Sequence, residues 1–587
     1  MRILLLCHTF NSLSQRLYVE LLADGHDLSV ELDINDRITE EAVKLWRPAL
    51  VIAPFMKRAI PAGVYENVRT LVVHPGIRGD RGPSALDHAI LRHESHWGVT
   101  VIEATAVFDA GAVWGYGEFP MRDARKSSLY RNEVTDGAVR AVRQAIENLA
   151  NPSFHPQRNL LEDGSPNPLF RGSFHPVCTQ IERRIDWNRD TTDVVVRKIN
   201  SADGFPGTLD DSFGRHLYLY NAFPEPDAAG LIKRSGRTHP LPGVIFASRD
   251  DAVCVATSDG AVWITHLRER DGVKLPAARL VPDLLEDVPE LPGEIFDRSY
   301  REIRWEMIPL NDMDDAPQIA LLHFDFYNGA MSTQQCKRLA GALRSIKSSG
   351  AKALVLMGSE DFFSNGINLN TIEASDSPAD ESLRNIEAMN DVCKEIIEST
   401  ECLTVSAMQG NAGAGGVFLA LAADCVWARQ GVVLNPHYRS MGNLYGSEYW
   451  TYLLPRRMDR DAGLALLHDR LPVSSDAAVR RGLIDDCFGA TLGDFREEVI
   501  RRVKELVGSP RWEAMLNARR RRRMSDEEEK PLQHYRDEEI EKMKMNFYGF
   551  DPSYHIARYN FVYRVPVART PLYLASHRRT VPVDPAG

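Results

Sequence analysis

The sequence predicts a multidomain α/β protein in which two α/β cores flank a small β-rich unit. From Met1 to about residue 150, short β-rich runs alternate with segments of helical spacing, which is the pattern of a parallel sheet. Between about residues 185 and 300, runs such as GVIFAS and AVWITHL alternate apolar and polar residues around turns, as antiparallel strands do. The α/β alternation restarts at Ile319. The 587 residues also exceed the roughly 250–300 that a single hydrophobic core usually supports.

The first core is predicted from strand-like runs at 2–6, 28–32, 49–54 and 70–74, with helical spacing at 14–23 and 40–46 between them. Parallel sheets bind ligands beyond the carboxyl ends of their strands. The turns after Leu6, Pro54 and Val73 are therefore expected to converge on one crevice.

Composition excludes several classes of function. A net charge of -11 disfavours nucleic-acid binding, so an anionic ligand would need local Arg and Lys side chains. The first apolar run turns polar by Asn11, unlike a signal peptide, and no later run approaches the roughly 18 residues of a membrane span. The eight cysteines include no C-x-x-C pair, which favours reduced thiols and no structural zinc or other metal site. We therefore expect a cytoplasmic protein without a membrane segment.

A charge block near the C-terminus consists of five arginines at 519–523, then Ser525 and a run of acids. We interpret it as one helix that ends in arginine and a new helix that Ser525 caps. A phosphate-binding role for the arginines is the alternative.

The most informative early segment is LVVHPGIRGDRGPSALDHAI, in which a strand delivers His74 to a loop rich in Gly and Pro. Further along, Asp109 lies in a D-A-G turn between two apolar runs. Together the two segments resemble the folate-dependent formyltransferases, and formyl transfer needs a proton carrier and a carboxylate that orients it. His74 and Asp109 fit these two roles as a catalytic pair.

These segments resemble the folate-dependent formyltransferases and formyl-tetrahydrofolate deformylases, and the resemblance extends to RPALVIAPFMKRAIP and to IDWNRDTTDVVVRKINSADGFPG. It covers roughly the first half of the chain. The family's Asn two residues before the His is Val72 here, which removes an amide donor to the oxyanion. Asn11, at the first βα turn, is a candidate substitute and ligand-binding residue, or else a loop or helix-cap residue.

In the second half, DFFSNGINLN and AMQGNAGAGGVFLALAADCVWA resemble the two oxyanion-loop motifs of crotonase-fold, enoyl-CoA hydratase-like proteins. The resemblance spans about 180 residues and places two backbone N–H donors at Ile367 and Gly415. Such donors bind the oxygen of a thioester as it gains charge, whatever their side chains.

The two glutamates by which hydratases activate water are replaced, at the positions of Phe418 and His437. Ordinary enoyl-CoA hydration is therefore not expected. The segment LNPHYRSMGNLYGSEYW instead offers Tyr438 and Glu448 as an acid/base pair, with His437 and Tyr445 as competitors.

Arg131, Arg558 and Arg564 are candidates for the phosphates of CoA, because a planar guanidinium pairs well with phosphate. Surface salt bridges are the alternative interpretation of all three.

The order of the two halves resembles the hydrogenase maturation factors of the HypX family over essentially the whole chain. That resemblance implies a Rossmann-like formyltransferase fold, an OB-like middle domain and a crotonase fold with a helical tail. We predict domains at 1–165, 175–300, 310–510 and 511–587.

The resemblance also implies a function. Formyl-tetrahydrofolate would donate its formyl group to CoA, and formyl-CoA would be decarbonylated to carbon monoxide for the iron of a nickel-iron hydrogenase. Coenzyme A and formyl-tetrahydrofolate are thus the expected cofactors. The expected partners are small-molecule substrates and hydrogenase maturation proteins that build the iron centre.

Three alternatives stay open. A formyl-thioester hydrolase would yield formate, and an amine formyltransferase would use the second half only to bind CoA. A non-catalytic CoA- or folate-binding assembly factor would bind its ligands without turnover.

Overall fold

A computed structural model describes residues 1–161, 163–293, 298–311 and 318–579. The chain divides into two compact units, Met1–Pro292 with Val567–Gly587, and Gly293–Pro566. Each unit contains a sheet with a run of parallel strands covered by helices, so the α/β class is confirmed. The finer division into four domains remains a prediction.

The first sheet of unit one has the strand order β2-β1-β3-β4-β5-β6-β7, in which β1 to β4 run parallel and the last three antiparallel. The predicted strands of the first core are all present, because their apolar residues are buried between the helices that cover the sheet. The strands are β1 (Arg2–Cys7), β2 (Asp27–Leu32), β3 (Leu50–Phe55), β4 (Thr70–His74), β5 (His96–Glu103), β6 (Ala112–Pro120) and β7 (Gln157–Arg158).

Asparagine caps fix where the first two long helices begin. Asn11 accepts a hydrogen bond from the Ser14 amide and Asn35 from the Ile38 amide. The helices of this unit are α1 (Ser12–Ala23), α2 (Asp36–Trp46), α3 (Ala62–Tyr65), α4 (Ala85–Leu91), α5 (Lys126–Leu129), a π-helical turn (Tyr130–Val134), α6 (Thr135–Ala150), α7 (Gln180–Arg183), α8 (Thr192–Ser201), α9 (Ala228–Arg234), α10 (Ala277–Leu280) and a 3-10 turn (Pro282–Leu285).

The second sheet of unit one is the predicted antiparallel β unit, with the order β10-β11-β12-β9-β8 and β13 paired to β12. Its inner face packs against α8, with Val195 and Ile199 fully buried. Its strands are β8 (Thr208–Asp210), β9 (Leu217–Pro224), β10 (Ile245–Arg249), β11 (Ala252–Ala256), β12 (Ala261–Glu269) and β13 (Leu275–Pro276).

The chain returns to unit one after Pro566 and covers the outer side of β2. The amide of Val30 donates to the carbonyl of Leu574 at 3.0 Å, and the amide of Leu32 donates to the hydroxyl of Thr570 at 2.9 Å. A 3-10 turn, Ser576–Arg578, closes the segment. The edge strand of the sheet therefore has partners for its backbone.

Unit two contains two sheets, of which the longer has the order β14-β15-β16-β18-β20-β23 and is parallel from β15 onward. The shorter sheet has the order β17-β19-β21-β22, and its loops carry the candidate site. The strands are β14 (Ile303–Pro309), β15 (Gln318–Phe324), β16 (Ala353–Leu356), β17 (Phe362–Ser364), β18 (Leu403–Met408), β19 (Asn411–Gly413), β20 (Cys425–Arg429), β21 (Val433–Asn435), β22 (Val473–Ser474) and β23 (Asp486–Phe488).

Helices pack against both sheets of unit two. They are a 3-10 turn (Tyr327–Gly329), α11 (Thr333–Ser348), α12 (Leu369–Glu373), α13 (Pro378–Ile397), α14 (Gly415–Leu421), α15 (Trp450–Leu453), a 3-10 turn (Leu454–Arg456), α16 (Arg460–Asp469), α17 (Ser475–Arg480), α18 (Leu492–Gly508), α19 (Arg511–Glu529), α20 (Leu532–Tyr548) and α21 (Ser553–Val562). Within the described ranges, no helix is both long enough and apolar enough to cross a membrane.

Our interpretation of the charge block was wrong, because α19 runs without a break through Ser525. Arg523 donates to Glu527 at 2.7 Å, one turn later, so an ion pair bridges the expected boundary. Arg519 is buried against Asp424, which anchors the same helix to the core.

Candidate functional site

The site in unit one begins at His74, the last residue of β4. Its ring is buried, and Nε2 lies 2.7 Å from Oδ2 of Asp80 in the turn that follows the strand. Asp80 is completely buried. The strand end and its Gly-rich turn therefore hold an imidazole and a carboxylate in direct contact.

Asp109 approaches the other edge of the same ring. Its Oδ1 lies 3.7 Å from Nδ1 of His74, and its Oδ2 accepts a hydrogen bond from the Gly82 amide at 3.0 Å. Asp109 has a φ of 55°, a left-handed backbone that is uncommon for a residue other than glycine. The predicted pair is thus brought together, with the ring between two carboxylates.

Burial by itself lowers the pKa of His74, but the hydrogen bond to Asp80 and the charges of Asp109 and Asp80 outweigh it and raise the pKa. The raised pKa favours the imidazolium, which is the form that a base reaches after taking a proton. This arrangement is suited to moving a proton during acyl transfer.

Asp80 was not among the site residues predicted from the sequence, although it lies six residues after His74 within the quoted Gly-rich motif. Among the described residues, its Oδ1 accepts no hydrogen bond, and Nε2 of His175 lies 3.7 Å away. The signal that could have identified Asp80 is an acidic residue in the loop directly after a strand-end histidine.

The remaining candidates of unit one lie near the first βα turn. Asn11 caps α1, since its side chain accepts from the Ser14 amide. Arg131 follows Tyr130 in the π-helical turn and is half-buried. Val72, where related enzymes carry Asn, lies on β4 opposite Ile102 of β5.

The site in unit two is built around two backbone amides. Ile367 follows β17, and Gly415 is the first residue of α14. Within the described residues, neither amide donates a hydrogen bond. Met331 pairs with the flanking residues instead, since its amide donates to the Gly366 carbonyl and its carbonyl accepts from the Asn368 amide. A Cβ built on Gly366 would lie 3.4 Å from the Gly415 nitrogen, so the two segments are adjacent. The two predicted donors therefore lie in adjacent segments, and their role in binding an oxyanion stays a prediction.

The carboxyl of Glu448 lies beside Gly415, on the side where a Cβ would stand. A Cβ built on Gly415 would stand 2.5 Å from the Glu448 carboxyl carbon, so only glycine fits there. The hydroxyl of Tyr438 donates to Oε2 of Glu448 at 2.6 Å. Burial raises the pKa of Glu448 to about 7, although the hydrogen bonds from Tyr438 and at Ser447 act in the opposite direction. Burial and the charge of Glu448 raise the pKa of Tyr438 well above its usual range, so the phenol is the proton donor of the pair and Glu448 the acceptor.

The side chains that replace the hydratase glutamates have other surroundings. Phe418 is fully buried and stacks on the ring of Tyr438, with centroids 5.4 Å apart. Burial and the charge of Arg470 lower the pKa of His437 to about 4, so its ring is neutral at neutral pH. Tyr445 is 39% exposed and packs against Trp450. The structure thus brings Tyr438 and Glu448 together.

The two arginines of the tail have different surroundings. Arg558 is buried, and its guanidinium contacts Glu373 at 2.7 Å and His555 at 2.8 Å. Arg564 follows α21, is exposed, and has a φ of 54°. Arg558 would have to leave an internal ion pair to hold a phosphate.

Each half of the chain matches the profile of a known family. The profile of the enoyl-CoA hydratase/isomerase family matches residues 318–546, and the profile of the formyl transferase C-terminal domain matches residues 178–282. A methionyl-tRNA formyltransferase of Burkholderia multivorans is 27% identical over 198 residues, which are 34% of this chain and 55% of that protein.

Two relatives match the whole chain. The hydrogenase maturation factor HoxX of Bradyrhizobium diazoefficiens is 48% identical over 591 aligned positions, which cover 100% of this chain and 99% of that protein. The crystal structure of HypX from Aquifex aeolicus in complex with tetrahydrofolic acid has 49% identity and a TM-score of 0.91, with 99% of each chain covered. The chain therefore belongs to the HypX (HoxX) family of hydrogenase maturation factors.

Proposed function

We propose that the chain moves the formyl group of formyl-tetrahydrofolate to CoA and then decarbonylates formyl-CoA to carbon monoxide for the iron of a nickel-iron hydrogenase. One observation carries the proposal: the buried Glu448 carboxyl, hydrogen-bonded to Tyr438, lies against the donor at Gly415. The maturation role of the HoxX relative and the tetrahydrofolic acid bound to Aquifex aeolicus HypX support it.

The first step takes place in unit one. The CoA thiol attacks the formyl carbon, the new C–S bond forms, and the C–N bond to the folate breaks. His74 accepts the thiol proton and returns it to the departing nitrogen, while Asp80 and Asp109 stabilise the imidazolium between these events. Val72 carries no amide where the formyltransferase family has Asn, so other groups of the crevice must stabilise the oxyanion.

The second step takes place in unit two. The amides of Ile367 and Gly415 bind the formyl oxygen and withdraw charge from the carbon, which acidifies its C–H bond. Glu448 takes that proton, the C–S bond breaks toward sulfur, and carbon monoxide leaves. Tyr438 protonates the thiolate and then recovers a proton from Glu448 across their 2.6 Å hydrogen bond. Formyl-CoA is thus divided into carbon monoxide and CoA, and both side chains return to their starting states.

The surroundings of Glu448 suit this step better than hydration. Hydration needs two carboxyls that share a water molecule, and here a stacked aromatic pair, Phe418 and Tyr438, takes that space. A pKa of about 7 leaves Glu448 substantially ionised at neutral pH and still strongly basic. Exclusion of water also protects the thioester from hydrolysis to formate.

For the substrates' charged ends in unit one, the candidates are Asn11, at the start of α1, and Arg131, in the π-helical turn. Arg564 is exposed and suited to a phosphate, whereas Arg558 is held by Glu373. We therefore expect Arg558→Ala to lower stability, and Arg131→Ala and Arg564→Ala to raise the KM for CoA.

The two steps are separable by single variants given formyl-tetrahydrofolate and CoA. We expect His74→Ala to form no tetrahydrofolate, and Glu448→Gln to form tetrahydrofolate and accumulate formyl-CoA without carbon monoxide. Trapping of the gas by a haem protein and chromatography of the CoA esters measure both products. Carbon monoxide from the Glu448→Gln variant would contradict the proposal.

A further inference from the structure

One helix, α13, carries two completely buried amide side chains, Asn385 and Asn390. They stand five residues apart, which is about 7.5 Å along a helix axis. A buried side-chain amide without hydrogen-bond partners destabilises the fold, so the partners of each asparagine indicate its role.

Asn385 holds the first oxyanion segment. Its Oδ1 accepts from the amide of Asn368, at 3.2 Å, and its Nδ2 donates to the carbonyl of Met331, at 2.9 Å. Asn368 directly follows Ile367, and Met331 pairs with the same segment through a β-bridge. One side chain thus ties both sides of the loop that presents the Ile367 amide.

Asn390 holds the base. Its Oδ1 accepts from the backbone amide of Glu448 at 2.7 Å. Among the described residues its Nδ2 has no acceptor, so this amide has no other hydrogen-bond partner there. An apolar side chain would fill the same space without the unpaired Nδ2, but it would take the acceptor from the Glu448 amide, so packing alone does not account for Asn390.

The backbone that Asn390 holds is strained. Glu448 and Tyr449 have φ values of 61° and 57°, and side chains other than glycine adopt such values at a cost in free energy. From the other side, Glu539 of α20 accepts from the amide of Tyr449 at 2.9 Å and from the amide of Thr451 at 2.9 Å. The dipeptide keeps this conformation because the surrounding acceptors fix it.

We infer that Asn385 and Asn390 are positioning residues, which together set the distance between the oxyanion donor at Ile367 and the carboxyl of Glu448. The inference rests on the proposed decarbonylation. A single rigid helix connects the donor and the base, so neither moves without straining the other. A misplacement of about 1 Å at a reacting group costs about a hundredfold in rate.

The test compares Asn390→Leu, Asn390→Asp and Asn385→Leu with wild type, using formyl-CoA as substrate and circular dichroism to check folding. Ser382→Ala is the matched control, because Ser382 is buried on the same helix and its hydroxyl, in the described part of the chain, bonds to Pro378 and Tyr554 rather than to the site. We expect Asn390→Leu to lower kcat about a hundredfold with little change in KM. Asn385→Leu lowers kcat without moving the pH dependence, because the base is untouched.

Asn390→Asp keeps the acceptor and adds a carboxyl beside Glu448, so the maximal rate is largely retained while the rise with pH moves to higher pH. The other titratable groups facing Glu448 are Tyr438, Cys336, Cys393 and Glu539, which all the variants keep.

A wild-type rate in Asn390→Leu, with wild type releasing carbon monoxide, would overturn the inference and leave the proposed function standing. If Asn390→Leu fails to fold, Asn390→Asp decides alone: an unmoved pH dependence would overturn the inference. No carbon monoxide from wild type would overturn the proposed function itself.

Discussion

Glu448 and Glu31 are both buried glutamates, yet their surroundings shift their pKa values in opposite directions. Burial raises the pKa of each. At Glu31, hydrogen bonds from His577, Thr570 and Arg578 outweigh burial and lower the pKa. At Glu448 the donors are fewer and neutral, so burial dominates and the pKa rises to about 7. The structure thus favours the ionised form of Glu31 and the protonated form of Glu448, which we propose as the base.

The raised pKa of Glu448 predicts a stability cost. Between the pKa of free glutamate, near 4.5, and about 7, the folded chain binds more protons than the unfolded chain, so stability falls as the pH rises. We expect Glu448→Gln to be more stable than wild type by about 3 kcal/mol above pH 7, and to show no such gain near pH 4.5. Denaturant unfolding at both pH values measures the difference. A Gln variant that is less stable at high pH would contradict this expectation.

Asp80→Asn tests the imidazole in unit one. The variant keeps the size of the side chain but removes the charge that helps to raise the pKa of His74. Because His74 must be neutral to accept the thiol proton, the rate of tetrahydrofolate formation should rise with pH through the pKa of His74. In Asp80→Asn that rise should move to lower pH, with a maximal rate at least about tenfold lower. An unmoved pH dependence would remove Asp80 from the mechanism, and His74→Ala sets the background rate.

At the scale of elements, strained backbone collects around the donor pair. Ala414, the residue before α14, has a φ of 47°, and Glu448 and Tyr449 are left-handed as well. Such residues cost about 1–3 kcal/mol each and persist where neighbours fix them. The neighbours that fix Glu448 and Tyr449 are α13 and α20, whose side chains accept hydrogen bonds from the backbone amides of these two residues.

Gly415→Ala tests the close approach of Glu448 to α14. The added Cβ would meet the carboxyl at 2.5–2.7 Å, so Glu448 must move and carbon monoxide release should be lost. Gly341→Ala is the matched control, since nothing lies within 4 Å of a Cβ there, in the middle of α11. That variant should keep full activity and gain about 0.5–1 kcal/mol of stability. Equal activity in both variants would show that the contact with Glu448 is unimportant.

Local patterns predicted the strands well, because buried β-rich runs between turns carry their own signal. Motifs of recognisable order also predicted His74 with Asp109 and Tyr438 with Glu448, and the structure brings each pair together, while their catalytic roles stay predictions. Contacts between distant segments had no such signal. Asn390 is 58 residues from Glu448.

The helix break that we expected at Ser525 is absent for a related reason. Local capping chemistry favoured a new helix, but an ion pair one turn apart and a buried arginine that reaches Asp424 keep α19 continuous. Tertiary contacts, which the local sequence does not contain, decided the outcome.

At the scale of the whole molecule, the chain ends in the unit where it begins. Residues after Pro566 belong to unit one, and His577 and Arg578 both contact Oε2 of the buried Glu31 at 2.8 Å. Glu31 lies on β2, the edge strand of the first sheet. The last segment therefore stabilises the sheet that carries His74.

Deletion of residues 567–587 should destabilise unit one, since it removes the hydrogen bonds of His577 and Arg578 to the charged Glu31, worth about 1.5–3 kcal/mol each. The exposed edge of β2 should also promote aggregation. Because the folded pKa of Glu31 is lowered, this stabilisation is present above the pKa of free glutamate and is lost as the pH falls through the folded value. Thermal unfolding and light scattering measure both effects, with Arg579→Ala as a control that keeps the segment. An unchanged melting temperature without aggregation would contradict the anchoring role.

The most direct test of the proposed decarbonylation supplies formyl-CoA itself to the purified chain and measures carbon monoxide, formate and free CoA together. We expect carbon monoxide and CoA in equal amounts from wild type and from His74→Ala, and neither from Glu448→Gln. Formate in place of carbon monoxide from wild type would contradict the assignment of Glu448 and Tyr438 as a decarbonylating pair.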